Sequence, residues 1–190
     1  LAITSQTPDI APADGKIYAL RDVTATVDSL PLIAASVMSK KIAAGADKIL
    51  LDVKYGSGAF MKTLTEAEEL ALLMVDIGAG VGRETLAMIS SMEEPLGTGI
   101  GNRLEIAEAI EILSGGGDRR LCGFCVEMAS PMLQLAQPDL SQQAAAEKIR
   151  QLLASGAALA KFREFVVAHG GDGRVVDDVS LLGTAAHCLE

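Results

Sequence analysis

The chain has no tryptophan, and only four phenylalanines and two tyrosines among its 190 residues. Its core must therefore be built from aliphatic side chains and methionine, a composition that favours helical or α/β packing over an all-β sandwich. Cysteine is scarce too: Cys122, Cys125 and Cys188 are too few for a disulfide framework. Cys122-Gly123-Phe124-Cys125 has redox or zinc spacing, but no second Cys/His pair stands at ligand spacing and the flanks read as an apolar helix. Buried small hydrophobes are the expected role. The two histidines, His169 and His187, have no catalytic partner nearby in sequence and receive no role. No apolar run reaches the roughly 18 residues of a membrane span. The opening lacks a charged segment followed by an apolar one, so a soluble cytoplasmic protein without membrane partners is expected.

What the chain does have is acidity. Its net charge of −9 leaves no electrostatic footprint for nucleic acid. A hydrophobic content of 49% excludes a disordered chain. An anionic ligand would need a local cationic patch, and Arg21, Lys40 and Lys41 form the obvious one. A solvated charged face is the other reading of that cluster.

Residues 1–16 are polar and turn-rich and read as an extended lead-in, with Ile17 to Leu20 as a short extended element. Asp28 or Ser29 can cap a helix that tolerates Pro31 in its first turn, runs to about Ala44 and stops at Gly45. Lys48 to Lys54 is a short apolar run that suits a buried strand of a parallel sheet. A Gly56–Ala59 loop follows, then a helix from Thr65 to about Ile77, ended by Gly78 and Gly80. Thr85 to Ser90 is a second buried strand, so a βαβ unit is expected.

The second half reads as helices: Arg103 to Leu113, Leu121 to about Gln137 with Pro131 as an interruption, Ser141 to Ser155, and Ala157 to His169. A turn at residues 170–173 precedes an extended tail from Val175-Val176. Only two strands are visible, too few for a stable sheet by itself. Further strands are expected from elsewhere in a longer protein or from other copies.

Ser36 and Lys40 share a helix face, and Arg21 precedes that helix. Together they supply hydroxyl, ammonium and guanidinium donors. Such donors suit a pyrimidine ring, which has carbonyl acceptors and gains negative charge when its glycosidic bond breaks. A surface i,i+4 pair beside an unrelated arginine is the alternative. Gly56-x-Gly58 and Gly97-x-Gly99-x-Gly101 allow close backbone approach to an anion or metal, although turns are the default use of glycine and the spacing is not that of a dinucleotide fingerprint. Glu105, Glu108 and Glu111 lie three apart on one helix and read as a solvated face; Glu108 can also turn back toward the Gly97 loop as an oxygen ligand for a hard cation.

In order along the chain stand Tyr18-Ala19-Leu20-Arg21-Asp22-Val23-Thr24-Ala25-Thr26-Val27, Ser39-Lys40-Lys41, and Leu51-Asp52-Val53-Lys54 with Gly56-Ser57-Gly58-Ala59-Phe60-Met61. Then come Pro95-Leu96-Gly97, Gly101-Asn102, Leu104-Glu105, Glu108-Ala109, and Gly170-Gly171-Asp172 with Val175-Val176-Asp177-Asp178. This ordered set resembles the pyrimidine-nucleoside and thymidine phosphorylases over roughly residues 1–180.

The resemblance implies an α/β fold: a central piece of the large nucleoside phosphorylase and phosphoribosyltransferase α/β domain, carrying an inserted piece of the small helical domain. Residues 1–12 would be a lead-in, 13–43 part of the base-binding helical domain, and 44–190 part of the phosphate-side domain. Arg21, Ser36 and Lys40 fall on base-contacting positions, with Lys40 and Arg21 catalytic. Val27, Ile33, Phe60 and Met61 fall on positions that pack around the base. Leu96, Gly99 and Glu108 match a potassium site of some members, through two carbonyls and a carboxylate.

The implied reaction is phosphorolysis of pyrimidine nucleosides in an intact cytoplasmic homodimer, with phosphate as co-substrate and no organic cofactor. The family's phosphate loop lies upstream of the matched region, so the isolated chain is expected to be inactive. A related phosphoribosyltransferase and a non-catalytic binding or assembly module are the competing readings.

Overall fold

The computed structural model describes residues 2–3, 7 and 9–184. Cys188 and His187 lie outside the described residues. The chain forms two compact units, one of Thr4–Glu94 and one of Pro95–Glu190 together with Leu1–Ile3.

The first unit holds helices α1 (Pro12–Val23) and α2 (Leu30–Ala43), strand β1 (Lys48–Tyr55), helix α3 (Leu64–Gly80) and strand β2 (Glu84–Ser91). The strands pair in parallel, from Lys48 beside Glu84 to Tyr55 beside Ser91, so the βαβ unit is present. Ile49, Leu51 and Val53 alternate along β1 and are buried with Ala34 and Met38 of α2 and Ala67, Leu70, Ala71 and Met74 of α3. The apolar run of β1 thus buries one face, while Asp52 and Lys54 pair on the other at 2.8 Å. The break between the units follows Glu94. Helix α2 shares its core with β1 and α3.

Helix α1 replaces the extended element expected at 17–20. Pro12 opens it, Asp14 lies in its first turn and Arg21 in its last, where each charge complements the helix dipole. Its buried residues are those two polar ones, whereas Ile17, Tyr18, Leu20 and Val23 are exposed. The usual apolar stripe is therefore inverted.

Helix α3 starts earlier than Thr65 because Thr63 caps it. The Thr63 hydroxyl accepts from the Glu66 N–H at 3.3 Å and the Glu66 carboxylate accepts from the Thr63 N–H at 3.0 Å. Gly78 does not end the helix; it lets β2 approach. A Cβ there would lie 2.0 Å from the Thr85 hydroxyl oxygen.

The second unit is helical, with α4 (Asn102–Leu113), α5 (Arg119–Ala136), α6 (Gln142–Ala154) and α7 (Ala157–Ala168). Pro131 lies within α5 without ending it. Asp118 and Ser141 cap α5 and α6 through their side chains. The tail expected to extend from Val175 is a 3₁₀ turn, Gly173–Val176, capped by Asp172. It buries Val175 and Val176 against Ile110 of α4, with Leu159, Phe162 and Val166 of α7 around them. Cys125 is exposed and Cys122 half-buried, because the buried side of α5 is Val126, Ser130 and Leu135. The expectation of two buried cysteines is corrected accordingly. Desolvation of the Cys125 sulfur, with the neighbouring Cys122, pushes its thiol pKa up.

Candidate functional site

Two of the three cationic residues singled out in the sequence, Arg21 and Lys40, lie near Asp14 where α1 packs on α2, and Lys41 lies on the neighbouring stripe of α2. The Lys40 ammonium donates to the Ser36 hydroxyl at 2.8 Å and to the Ser36 carbonyl at 3.0 Å, one turn back on α2. It also pairs with the Asp14 carboxylate of α1 at 2.8 Å. Arg21 is 5% exposed. Its guanidinium donates to the carbonyls of Thr26 and Val27, and lies over the Tyr18 ring at 5.2 Å. Arg21 thereby ties the end of α1 to the loop that leads into α2, which includes Ala25 at a positive φ of 54°.

Asp14 was not anticipated from the sequence. Burial raises its carboxyl pKa. Hydrogen bonds from Lys40 and Ser36, with the charges of Lys40 and Arg21, outweigh that and hold it below the usual carboxylate range. The site therefore has two cations, one anion and one hydroxyl. The clue in the sequence was an acidic residue two helical turns before Arg21, visible only once 12–23 is known to be helical.

The apolar residues expected to surround a base lie on the neighbouring stripe of α2. Ile33, Val37 and Lys41 line a cavity of about 600 Å³ with Phe60, Met61 and Met92. Val27 is absent from that lining and enters only as the carbonyl acceptor of Arg21. One step along α2 separates Ser36 from Val37 and Lys40 from Lys41, so the polar cluster and the cavity occupy adjacent stripes of one helix. Desolvation and the neighbouring Lys40 charge lower the pKa of Lys41, a cavity residue. The Gly56–Gly58 loop is held by a carboxylate of the chain itself, since the Ser57 N–H donates to Glu93 at 3.1 Å.

In the second unit, Glu108 turns back onto the 97–99 loop. Its Oε1 accepts from the Thr98 N–H and hydroxyl, both at 2.7 Å. Those bonds hold its carboxyl pKa below the usual range. Gly97 lets Glu108 approach closely, since a Cβ there would lie 2.1 Å from the second carboxylate oxygen and displace it. The Leu96 carbonyl accepts from Arg120 at 3.3 Å. Gly99 packs closely on the backbone of Leu104. Glu108 thus faces an N–H and a hydroxyl of the loop, while the Leu96 carbonyl faces the Arg120 guanidinium. Glu105 does not face solvent freely; it accepts from the Gly101 N–H at 3.0 Å and secures the start of α4. His169 stacks on Phe165 with centroids 4.5 Å apart.

Residues 1–159 match the model of the glycosyl transferase family, a/b domain. The chain belongs to this family. Its α/β core is the βαβ unit of β1, α3 and β2. The chain is also similar to curated pyrimidine-nucleoside phosphorylases: 52% identical to that of Geobacillus stearothermophilus, 50% to that of Bacillus subtilis and 51% to that of Staphylococcus haemolyticus. Each match covers the whole chain and 44% of the relative, so the chain spans less than half the length of these proteins. Among the described residues no helix is long and apolar enough to cross a membrane.

Proposed function

We propose that the protein carrying this chain phosphorolyses pyrimidine nucleosides, and that this chain holds the base. A phosphate oxygen attacks the anomeric carbon of the pentose. The C–N glycosidic bond breaks, its electron pair goes to the ring nitrogen of the base, and that nitrogen then takes a proton. The products are the free pyrimidine and a (deoxy)ribose 1-phosphate.

The observation that carries the reading is the convergence of Lys40 and Ser36 on Asp14, with Arg21 held close by on the same helix pair. Two cations against one carboxylate leave the cluster cationic, which favours negative charge developing on a leaving base. Ring carbonyls are natural acceptors for Lys40, Ser36 and Arg21. The adjacent cavity, with Ile33, Phe60 and Met61, provides apolar walls for a flat ring.

Within this reading, residues 13–43 belong to a helical base-holding part and residues 44–190 to a phosphate-side part of a cytoplasmic homodimer. Potassium is held by the carbonyls of Leu96 and Gly99 and the carboxylate of Glu108, and its positive charge would steady the 96–99 loop. The isolated 190-residue chain is inactive on this reading, because none of the residues assigned to the base site positions the attacking phosphate.

The test is incubation of the full-length protein with thymidine or uridine, with and without phosphate. Release of free base and pentose 1-phosphate only when phosphate is present is the expected result. Release without phosphate, or none in its presence, overturns the proposal. Replacing potassium by sodium should lower activity; equal activity in both removes potassium from the reading.

A further inference from the structure

We infer that Asp14 is the positioning residue for Lys40, fixing the direction of its ammonium group toward the base-recognition cluster; this rests on the phosphorolysis reading above. A lysine side chain has four rotatable carbons and carries about 2 kcal/mol of rotamer entropy. Left alone on a helix it samples many directions. Here the Lys40 ammonium has two hydrogen-bond acceptors, the Ser36 carbonyl and the Ser36 hydroxyl, and one ion-pair partner, Asp14. Two of these come from its own helix, one turn away. Asp14 alone among them reaches across from α1, so it sets the orientation that the helix cannot set for itself.

The burial of Asp14, 9% exposed in the first turn of a short helix, has no role in apolar packing. Placing a carboxylate there costs desolvation energy, and only its cationic neighbours offset that. The groups facing it are Lys40 and Ser36 of α2 and Arg21 of α1. The buried cluster that α2 shares with β1 and α3 is apolar, and Asp52 of β1, which lines the neighbouring cavity with Lys41, is paired with Lys54 at 2.8 Å.

Asp14 touches no reacting atom. Its effect should pass through Lys40, a contact that strengthens as charge develops on the base, and so should appear in kcat more than in KM. Asp14→Asn keeps the shape and removes the charge. In the full-length protein it should lower kcat about tenfold or more while changing KM by no more than about twofold. Asp14→Glu, which keeps the charge, should recover much of that loss. Glu84→Gln, which breaks the surface Lys48–Glu84 pair of 2.9 Å, serves as the control and should leave kcat unchanged.

A readout independent of turnover is the ¹H–¹⁵N signal of the Lys40 ammonium in lysine-labelled protein. Its protons should exchange slowly in the parent protein and in Asp14→Glu, and fast in Asp14→Asn. Reciprocally, Lys40→Met should raise the Asp14 carboxyl pKa seen by ¹³C NMR. Parent-like kcat together with slow ammonium exchange in Asp14→Asn overturns the inference. If Asp14→Asn fails to fold, an Asp14 titration unmoved by Lys40→Met overturns it equally. An inactive parent protein would sink the phosphorolysis reading, while the NMR experiments would still decide whether Asp14 directs Lys40.

Discussion

Both units carry surface ion pairs, such as Lys48 with Glu84 in the first, but the first also buries charged side chains. In Thr4–Glu94, Asp14 and Arg21 are buried between helices and Lys40 sits against them. In Pro95–Glu190 the ion pairs lie at the surface, as in Arg163 with Asp177, Lys161 with Glu164, and Arg174 with Asp172. Surface pairs contribute little to stability and are screened by salt. A buried set of charges is costly to assemble, and each member depends on the others. The contrast teaches where a ligand contact belongs: desolvated, mutually oriented donors are found in the first unit, on the helix pair that a packing argument alone would have filled with apolar residues.

The largest way to break the comparison is Lys40→Ala. In the full-length protein we expect turnover to fall about 10²-fold or more, the loss typical of a donor to developing negative charge. Steady-state kinetics with thymidine or uridine measures it. A raised KM at parent kcat would show that Lys40 only helps to bind the nucleoside. Lys161→Ala, at a surface pair of the second unit, should leave both constants unchanged.

The units should also differ in what their cores withstand. Leu51, 4% exposed at the centre of the larger cluster, should cost about 2–5 kcal/mol on truncation to Ala. Ile110 is equally buried, but its cluster has only Val175 and Val176 as fully buried partners. Its truncation should fall at the lower end, about 2 kcal/mol, since a small cluster relaxes around the gap. Denaturant unfolding compares the two. An equal loss would mean that the helical unit is as tightly packed as the sheet unit.

A smaller effect sharpens the helix–sheet contact. Gly78→Ala should destabilise the first unit by about 1–3 kcal/mol through overpacking against Thr85. Thr85→Ala in the same protein should recover part of the loss, because it removes the nearest atom. An Ala substitution that is neutral would mean α3 and β2 can separate freely.

The smallest effect concerns acid. Arg174 hydrogen-bonds Asp172 and holds its carboxyl pKa at about 2. A folded pKa below the unfolded one contributes stability that is complete above the unfolded value of about 3.9 and is lost as pH falls. The parent and Asp172→Asn should thus differ slightly at neutral pH, and the difference should vanish between about pH 4 and pH 2. Thermal melts across that window check it; a gap that widens on acidification would reverse the assignment.

Much of the frame was legible from the sequence. The two strands, the α2 boundaries at Ser29 and Gly45, and the four helices of the second unit follow from periodicity, caps and glycine. Three features did not. Helix α1 was hidden because its buried residues are Asp14 and Arg21, so apolar periodicity pointed the wrong way. Gly78 read as a stop because a glycine in a helix and a glycine under a strand look alike in one dimension. Val175 and Val176 read as an extended tail because their burial depends on Ile110, more than sixty positions earlier.

The candidate site divides along the same line. Which residues bring donors was written in the sequence: Arg21, Ser36 and Lys40 have fixed chemistry, and i,i+4 spacing puts the last two on one face whatever else the chain does. Their orientation was not, because it depends on an acid from another helix. The Asp14–Lys40 pair joins positions 26 apart, and no local periodicity relates them. Backbone preference and side-chain chemistry act over one or two helical turns and can be read directly. The direction of a long, flexible cationic side chain is set by whatever charge the fold brings beside it, and here only the packing of α1 on α2 brings Asp14 there.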